Sequence, residues 1–212
     1  MPKFYNYIIE KGSTTDEYLI EFDQNNEILV PLIDEDFQWA QINNLNCSKC
    51  KFKDQNQYCN LALNLSYFIK FFSKYNSYDD VIVTVQTDEY TLHKATSAQK
   101  VALSILNLLI PFSGCSNLDK LKYISQYHIP FELPQEMLIR LVGNYMVENF
   151  KNNNELFIKD IKNEIHTILN DIGNTIKSIS HYFRTLSSSD TIINSLILFD
   201  TYLIIMDDFL DL

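Results

Sequence analysis

The sequence is poor in glycine, in basic residues and in long apolar runs. Only 4 of its 212 residues are glycine, and neither a G-x-G-x-x-G nor a P-loop pattern occurs, which excludes the phosphate-binding loops built on those patterns. The 27 acidic residues outnumber the 17 basic ones and give a net charge of −10. We therefore expect neither nucleic acid nor an anionic membrane surface as a partner.

The most apolar stretch, residues 192–206, is too short to span a bilayer and is interrupted by Asn194 and Asp200. The first residues contain no apolar signal core. We expect no membrane span and a cytoplasmic location. A buried carboxylate needs a partner, and Arg140, Arg184 or a helix cap could supply one for Asp200.

The chain has four cysteines, and their spacing indicates a metal site. Cys47, Cys50 and Cys59 form a C-x2-C-x8-C cluster, and Cys115 follows Gly114 further along the chain. Zinc takes four tetrahedral ligands and binds thiolates well, so the pattern predicts zinc held by all four cysteines. An iron–sulfur cluster would use the same ligands. Disulfides are a further alternative, and the expected compartment disfavours them. In the last alternative the four are ordinary cysteines without a metal, some buried and some exposed.

Neighbouring residues fit the same interpretation. Lys49, Lys51 and Lys53 alternate with the first cysteines, and their positive charge would offset that of bound thiolates. Trp39 precedes Cys47 by eight residues and is expected to pack beneath the loop.

Three further residues are candidates for a pocket beside the metal. His128 could replace one cysteine or hydrogen-bond a sulfur atom; in the alternative it is a buried structural histidine that caps the Ile129-Pro130 turn. Glu136 and Arg140 are four residues apart on a predicted helix, so they either form an ordinary ion pair or line a pocket with His128. A catalytic zinc keeps an open coordination position, which would require Cys115 to lie elsewhere. Four cysteine ligands instead predict a closed, structural site.

The hydrophobic pattern predicts an α+β fold in one domain, 1–212. A strand-rich half, 1–96, contains the cysteine loop and a small antiparallel sheet, and it packs on a helical half, 97–212. Strands are predicted at 4–10, 17–23, 27–30, 81–85 and 90–94. Helices are predicted at 60–75, 97–110, 118–127, 134–150, 158–186 and 192–206.

The long helix that begins at Ile158 carries a narrow apolar seam, since its apolar residues recur in steps of three and four. We expect the last helix to fold back on this seam, so that the chain ends in a helical hairpin. In the alternative, the C-terminal helices form a homodimer.

Taken together, the chain resembles an uncharacterised bacterial family, one of the catalogued domains of unknown function. The resemblance runs from about Trp39 to Asp200. It rests on Cys47-x-x-Cys50, Cys59-x-x-Ala62-x-Asn64-Leu65, Ser113-Gly114-Cys115, His128-x-Pro130-Phe131 and Glu136-x-x-x-Arg140. This chain departs from the family at Asn60, Ser116 and Tyr123, where proline is expected. The resemblance implies that all four cysteines belong to the pattern, and it implies no activity.

We therefore expect a zinc-binding cytoplasmic protein with a structural metal site. Its role would be that of a non-enzymatic regulatory or protein-interaction module with an unknown protein partner. One alternative is a metal-dependent hydrolase with an open zinc site. Another is a thiol-based redox or metal sensor, in which oxidation of the cysteines releases zinc.

Overall fold

Two hairpins supply the strands of the sheet. In this computed structural model, β1 (Phe4–Lys11) turns through Gly12 into β2 (Thr14–Glu21), and β3 (Asp80–Gln86) pairs with β4 (Thr91–Ser97). Gly12 has a φ of 60°, a left-handed conformation that a residue without Cβ adopts at no steric cost. The structure describes residues 2–29, 38–44, 58–116, 118–125, 127–152, 158–186 and 189–211.

Strand β1 joins the two hairpins into one antiparallel sheet with the order β2-β1-β3-β4. Tyr7 on β1 faces Tyr18 on one side and Val85 on the other. Tyr5, Tyr7 and Ile9 are buried, while the residues between them face the other side of the sheet. This period of two leaves one face of the sheet for the core.

The predicted strand at 27–30 is not confirmed, because residues 27–29 form no strand. Ile28 makes a single isolated bridge to Phe22. The carboxylate of Asp23 accepts hydrogen bonds from the N–H groups of Asn25 and Glu27, each at 2.8 Å. These local bonds curl the chain into a turn and compete with strand pairing. Strand β3 takes the position beside β1 instead.

Helices α1 (Asn60–Phe72) and α2 (Ala98–Leu109) cover the buried face of the sheet. The ring of Tyr18 packs edge-on against Phe71 of α1, with centroids 5.0 Å apart. The hydroxyl groups of Tyr7 and Ser104, the latter on α2, are 2.9 Å apart. Helix α2 is buried over nearly its whole circumference, as expected for a helix that is apolar on all sides.

The C-terminal half is helical, as predicted, and the fold is α+β. It contains α3 (Lys122–Ser125), α4 (Pro134–Lys151), α5 (Ile158–Leu186) and α6 (Asp190–Phe209). Helix α6 contacts α2, α4 and α5. Among the described helices, none has the length and apolar character needed to cross a membrane.

The start of α6 is fastened to the chain that follows α1. The carboxylate of Asp190 accepts hydrogen bonds from the N–H (2.9 Å) and hydroxyl (2.8 Å) of Ser77. The hydroxyl groups of Ser189 and Thr191 both donate to the carbonyl of Tyr75. These bonds tie the C-terminal helices to the strand-rich half, and one continuous cluster of buried side chains runs from the sheet to α6.

Candidate functional site

Cys59 lies at the N-cap position of α1. Its N–H donates to the carbonyl of Ala40 (2.8 Å), and its own carbonyl accepts a hydrogen bond from the N–H of Leu63 (3.0 Å). The side chain is half-buried. The N-terminal end of a helix carries partial positive charge, which favours the thiolate, the form of cysteine that binds metals.

Cys115 lies in the turn after α2, directly after Gly114. Gly114 has a φ of 73°, and a Cβ built on it would lie 3.2 Å from Nδ2 of Asn60. Asn60 follows Cys59 in the sequence, so this close packing sets the turns that carry Cys59 and Cys115 side by side. The two cysteines are 56 residues apart in the chain, so their separation in space could not be inferred from spacing alone.

A short bridge closes the segment that contains the remaining cysteines. Gln41 and Tyr58 form an isolated antiparallel bridge, which holds the two chain segments together just before Cys59. Trp39 and Cys59 both pack against the small buried cluster of Ala40 and Ala62. Trp39 therefore lies in the same small cluster as one predicted metal ligand.

Cys47 and Cys50 lie outside the described residues. Of the four predicted ligands, the structure describes Cys59 and Cys115 and brings their turns together. Within the described ranges, no group of three or more His, Cys, Asp or Glu side chains is arranged to hold a metal ion.

A second concentration of polar groups surrounds His128, which is only 3% exposed. Its Nε2 lies 3.4 Å from the hydroxyl of Tyr7, and its ring packs edge-on against Tyr5, with centroids 5.5 Å apart. Burial and, to a smaller extent, the charge of Arg140 together lower the pKa of His128 from 6.5 to about 3. The imidazole is therefore neutral at physiological pH.

The guanidinium of Arg140 donates a hydrogen bond to the buried carboxyl group of Glu132 beside this histidine. Arg140 also donates to the carbonyl of Tyr127, so its guanidinium holds both ends of the turn that precedes α4. Within that turn Phe131 has a φ of 65°, a strained conformation for a residue with a side chain. Burial raises the pKa of Glu132 to about 8, while the positive charge of Arg140 acts to lower it.

Three side chains of this cluster each keep one buried polar atom without a hydrogen-bond partner among the described residues. These atoms are Nδ1 of His128, Oε2 of Glu132 and Nε of Arg140. Buried polar atoms are almost always hydrogen-bonded. These side chains therefore keep unused hydrogen-bonding capacity in a buried position, and we name the group the His128 cluster.

Glu136 has a different role from the one its spacing indicated. Its Oε2 accepts a hydrogen bond from the N–H of Leu133 at 2.7 Å, which caps the first turn of α4. Arg140 instead pairs with Glu132, which the sequence analysis missed. Glu132 directly follows the His128-x-Pro130-Phe131 pattern, and this position is the only sequence feature that could have marked it as part of the site.

The sequence-predicted pocket residues therefore separate into two groups. His128 and Arg140 belong to one buried cluster, and Glu136 lies on the exposed start of α4. Among the described residues, the hydrogen bonds and ring contacts of His128 are to tyrosine side chains and backbone groups and not to Cys59 or Cys115.

A family model described as Domain of unknown function (DUF6901) matches residues 3–208. No curated protein and no solved structure matches the chain. The expectation of a family without an assigned function is confirmed.

Proposed function

Because the chain belongs to the family of the domain of unknown function DUF6901, we propose a function from its own residues. The protein binds one zinc ion through Cys47, Cys50, Cys59 and Cys115. The metal has a structural role, and the protein acts in the cytoplasm as a non-enzymatic regulatory or interaction module.

One observation carries this proposal: the contact between Gly114 and Asn60. It sets the turns of Cys59 and Cys115 side by side, although α1, two strands and α2 separate them along the chain. A Cβ at residue 114 would lie 3.2 Å from Nδ2 of Asn60, closer than an ordinary contact, so the Asn60 side chain would have to shift. Close approach of two cysteine-bearing turns is what a shared metal ion requires.

Chain connectivity supports the participation of the other two cysteines. Cys47 and Cys50 belong to the segment that leaves the Gln41–Tyr58 bridge and returns to it. Both ends of that segment are therefore held next to Cys59. The helix dipole at Cys59 and the lysines at 49, 51 and 53 favour the thiolate form.

The choice of a structural role rests on the number of ligands. Four thiolates fill the tetrahedral shell of zinc and leave no position for water or substrate. An interaction role is supported by large apolar side chains on the outer faces of the helices, among them Ile139 (71% exposed) and Phe150 on α4. Exposed apolar surface of this kind commonly marks contacts with other proteins.

The test is metal analysis of the purified full-length chain by elemental analysis and X-ray absorption at the zinc edge. We expect about one zinc per chain with four sulfur ligands. Cys59→Ser and Cys115→Ser should each lose metal and unfold at lower temperature. Ser116→Ala, next to a proposed ligand, is the matched control and should keep both metal and stability.

Other results would select other functions. Zinc with three sulfurs and one light-atom ligand, unchanged in Cys115→Ser, would refute the closed site and favour a hydrolase. Reversible loss of zinc under mild peroxide would favour the sensor. Iron and sulfide in place of zinc would indicate a cluster, and a metal-free protein would refute the proposal.

A further inference from the structure

A groove runs between α5 and α6 on the surface of the helical half. It contains two neighbouring cavities, of about 210 Å³ and about 90 Å³. Lys177 of α5 and Asp200 of α6 line both cavities, so they mark the middle of the groove. On the α5 side Gly173 leaves the groove open, since a Cβ at this residue would meet no atom within 4 Å.

The outer face of α6 beside this groove carries a regular stripe of three isoleucines and one aspartate. Ile193, Ile197, Asp200 and Ile204 follow one another in steps of four, three and four, the spacing of a helix–helix contact seam. Ile197 is 52% exposed and Ile204 is 55% exposed. Within the described residues, nothing covers them.

Two charges in the groove are left without partners. In the part of the chain that the structure describes, the side chains of Lys177 and Asp200 have neither a hydrogen bond nor an ion pair. The sequence analysis expected Arg140 or Arg184 to satisfy Asp200. Arg140 bonds to Glu132 instead, and the side chain of Arg184 lies outside the described residues.

We propose that two copies of this chain associate through this surface, with α6 of one copy lying antiparallel in the groove of the other. A two-fold axis between Asp200 and Thr201 sets Ile197 of each copy opposite Ile204 of the other. The larger cavity lies beside Ile197 and the smaller beside Ile204. Each exposed isoleucine then enters a cavity of the opposite copy.

The charges fit the same register. Asp200 lies midway between Ile197 and Ile204 on α6, and Lys177 lies midway along the groove that receives them. Docking therefore brings Asp200 of each copy to Lys177 of the other, and two such pairs flank the axis. A surface that supplies its own projections, cavities and opposite charges is self-complementary, which is the requirement for a two-fold homodimer.

This dimer gives one partner to the interaction role proposed above, but it does not depend on the metal. Residues of the cysteine turns take no part in it. The same protein samples can therefore be measured for mass and for zinc, and either proposal can fail while the other stands.

The test is sedimentation equilibrium of the full chain over a concentration series. We expect a reversible dimer that Ile197→Glu and Ile204→Glu each weaken by at least ~30-fold, the change that corresponds to about 2 kcal/mol for a residue at the centre of an interface. Ile139→Glu on α4, which alters an even more exposed isoleucine, is the matched control and should leave the dimer unchanged.

Charge reversal gives a second test that leaves the core intact. Asp200→Lys alone and Lys177→Asp alone should weaken association, and the double variant should restore it. A monomer at all concentrations would overturn the proposal. Dissociation by Ile139→Glu but not by Ile197→Glu would also overturn it, because the contact would then lie on α4.

Discussion

Folding shifts the pKa values of His128 and Glu132 in opposite directions, so the His128 cluster makes the free energy of unfolding depend on pH. The pKa of His128 is lowered to about 3 in the folded chain. The unfolded chain therefore binds this proton more tightly, and stability is lost as the pH falls below 6.5. The pKa of Glu132 is raised to about 8. The folded chain keeps this proton longer, so stability is lost as the pH rises from 4.5 to about 8.

These two effects oppose each other over part of the pH range. Each has a slope of about 1.4 kcal/mol per pH unit. Between pH 4.5 and 6.5 they cancel. Above pH 6.5 the histidine is neutral in both states, and Glu132 alone lowers the free energy of unfolding by about 2 kcal/mol up to pH 8. The cluster thus predicts a free energy of unfolding that stays level from pH 4.5 to 6.5 and declines from pH 6.5 to 8.

The assay is urea denaturation at half-unit pH intervals from 5 to 8.5, on the wild type and on Glu132→Gln and His128→Gln. In Glu132→Gln the decline above pH 6.5 should vanish. The free energy of unfolding of this variant should instead rise as the pH increases from 5 to 6.5, because only the histidine still titrates. His128→Gln should decline from pH 5 onward. Differences between each variant and the wild type remove the contributions of all other groups. A wild-type profile that stays level up to pH 8 would refute the reasoning, because Arg140 would then keep Glu132 ionised in the fold.

Three glycine-to-alanine substitutions test how the backbone conformation contributes to stability. Gly12→Ala should cost about 1 kcal/mol for its left-handed conformation alone, and Gly114→Ala should cost about 2 kcal/mol because its Cβ also meets Asn60 at 3.2 Å. Equal costs would show that Asn60 moves aside freely. Gly143→Ala, in the middle of α4 with open space around its Cβ, should stabilise the fold by about 1 kcal/mol. Urea denaturation midpoints measure all three, and a loss of stability in Gly143→Ala would contradict the last prediction.

Local sequence patterns predicted most of the secondary structure correctly. The seam from Ile158 onward marked α5, and alternation in Val81, Val83 and Val85 marked β3. The Gly12 turn separated β1 from β2. These predictions succeeded because the period of buried residues reflects backbone geometry within one segment. The strand expected at 27–30 failed because a short apolar run cannot reveal that Asp23 caps a competing turn.

The candidate sites were only partly predictable, for a related reason. Spacing marked His128 and Arg140 as candidates, and the structure brings them into one cluster, but spacing assigned Glu136 as the partner of Arg140. An i,i+4 spacing on a helix is visible in sequence, whereas the pairing with Glu132 depends on how the preceding turn folds back onto α4. Glu136 accepts the hydrogen bond of the Leu133 N–H at the start of α4. Arg140 bonds instead to the buried carboxyl group of Glu132.

By itself, the sequence determined most of the segments that become strands or helices, the excess of acidic charge and the four cysteines of the predicted metal site. Only the tertiary structure decided that β1 pairs with β3 and that the turns of Cys59 and Cys115 meet at Gly114. It also placed Lys177 and Asp200 in one groove, where neither has a partner among the described residues. The physical reason is distance along the chain. Local geometry follows from neighbouring residues, but contacts between distant residues depend on the packing of the whole core.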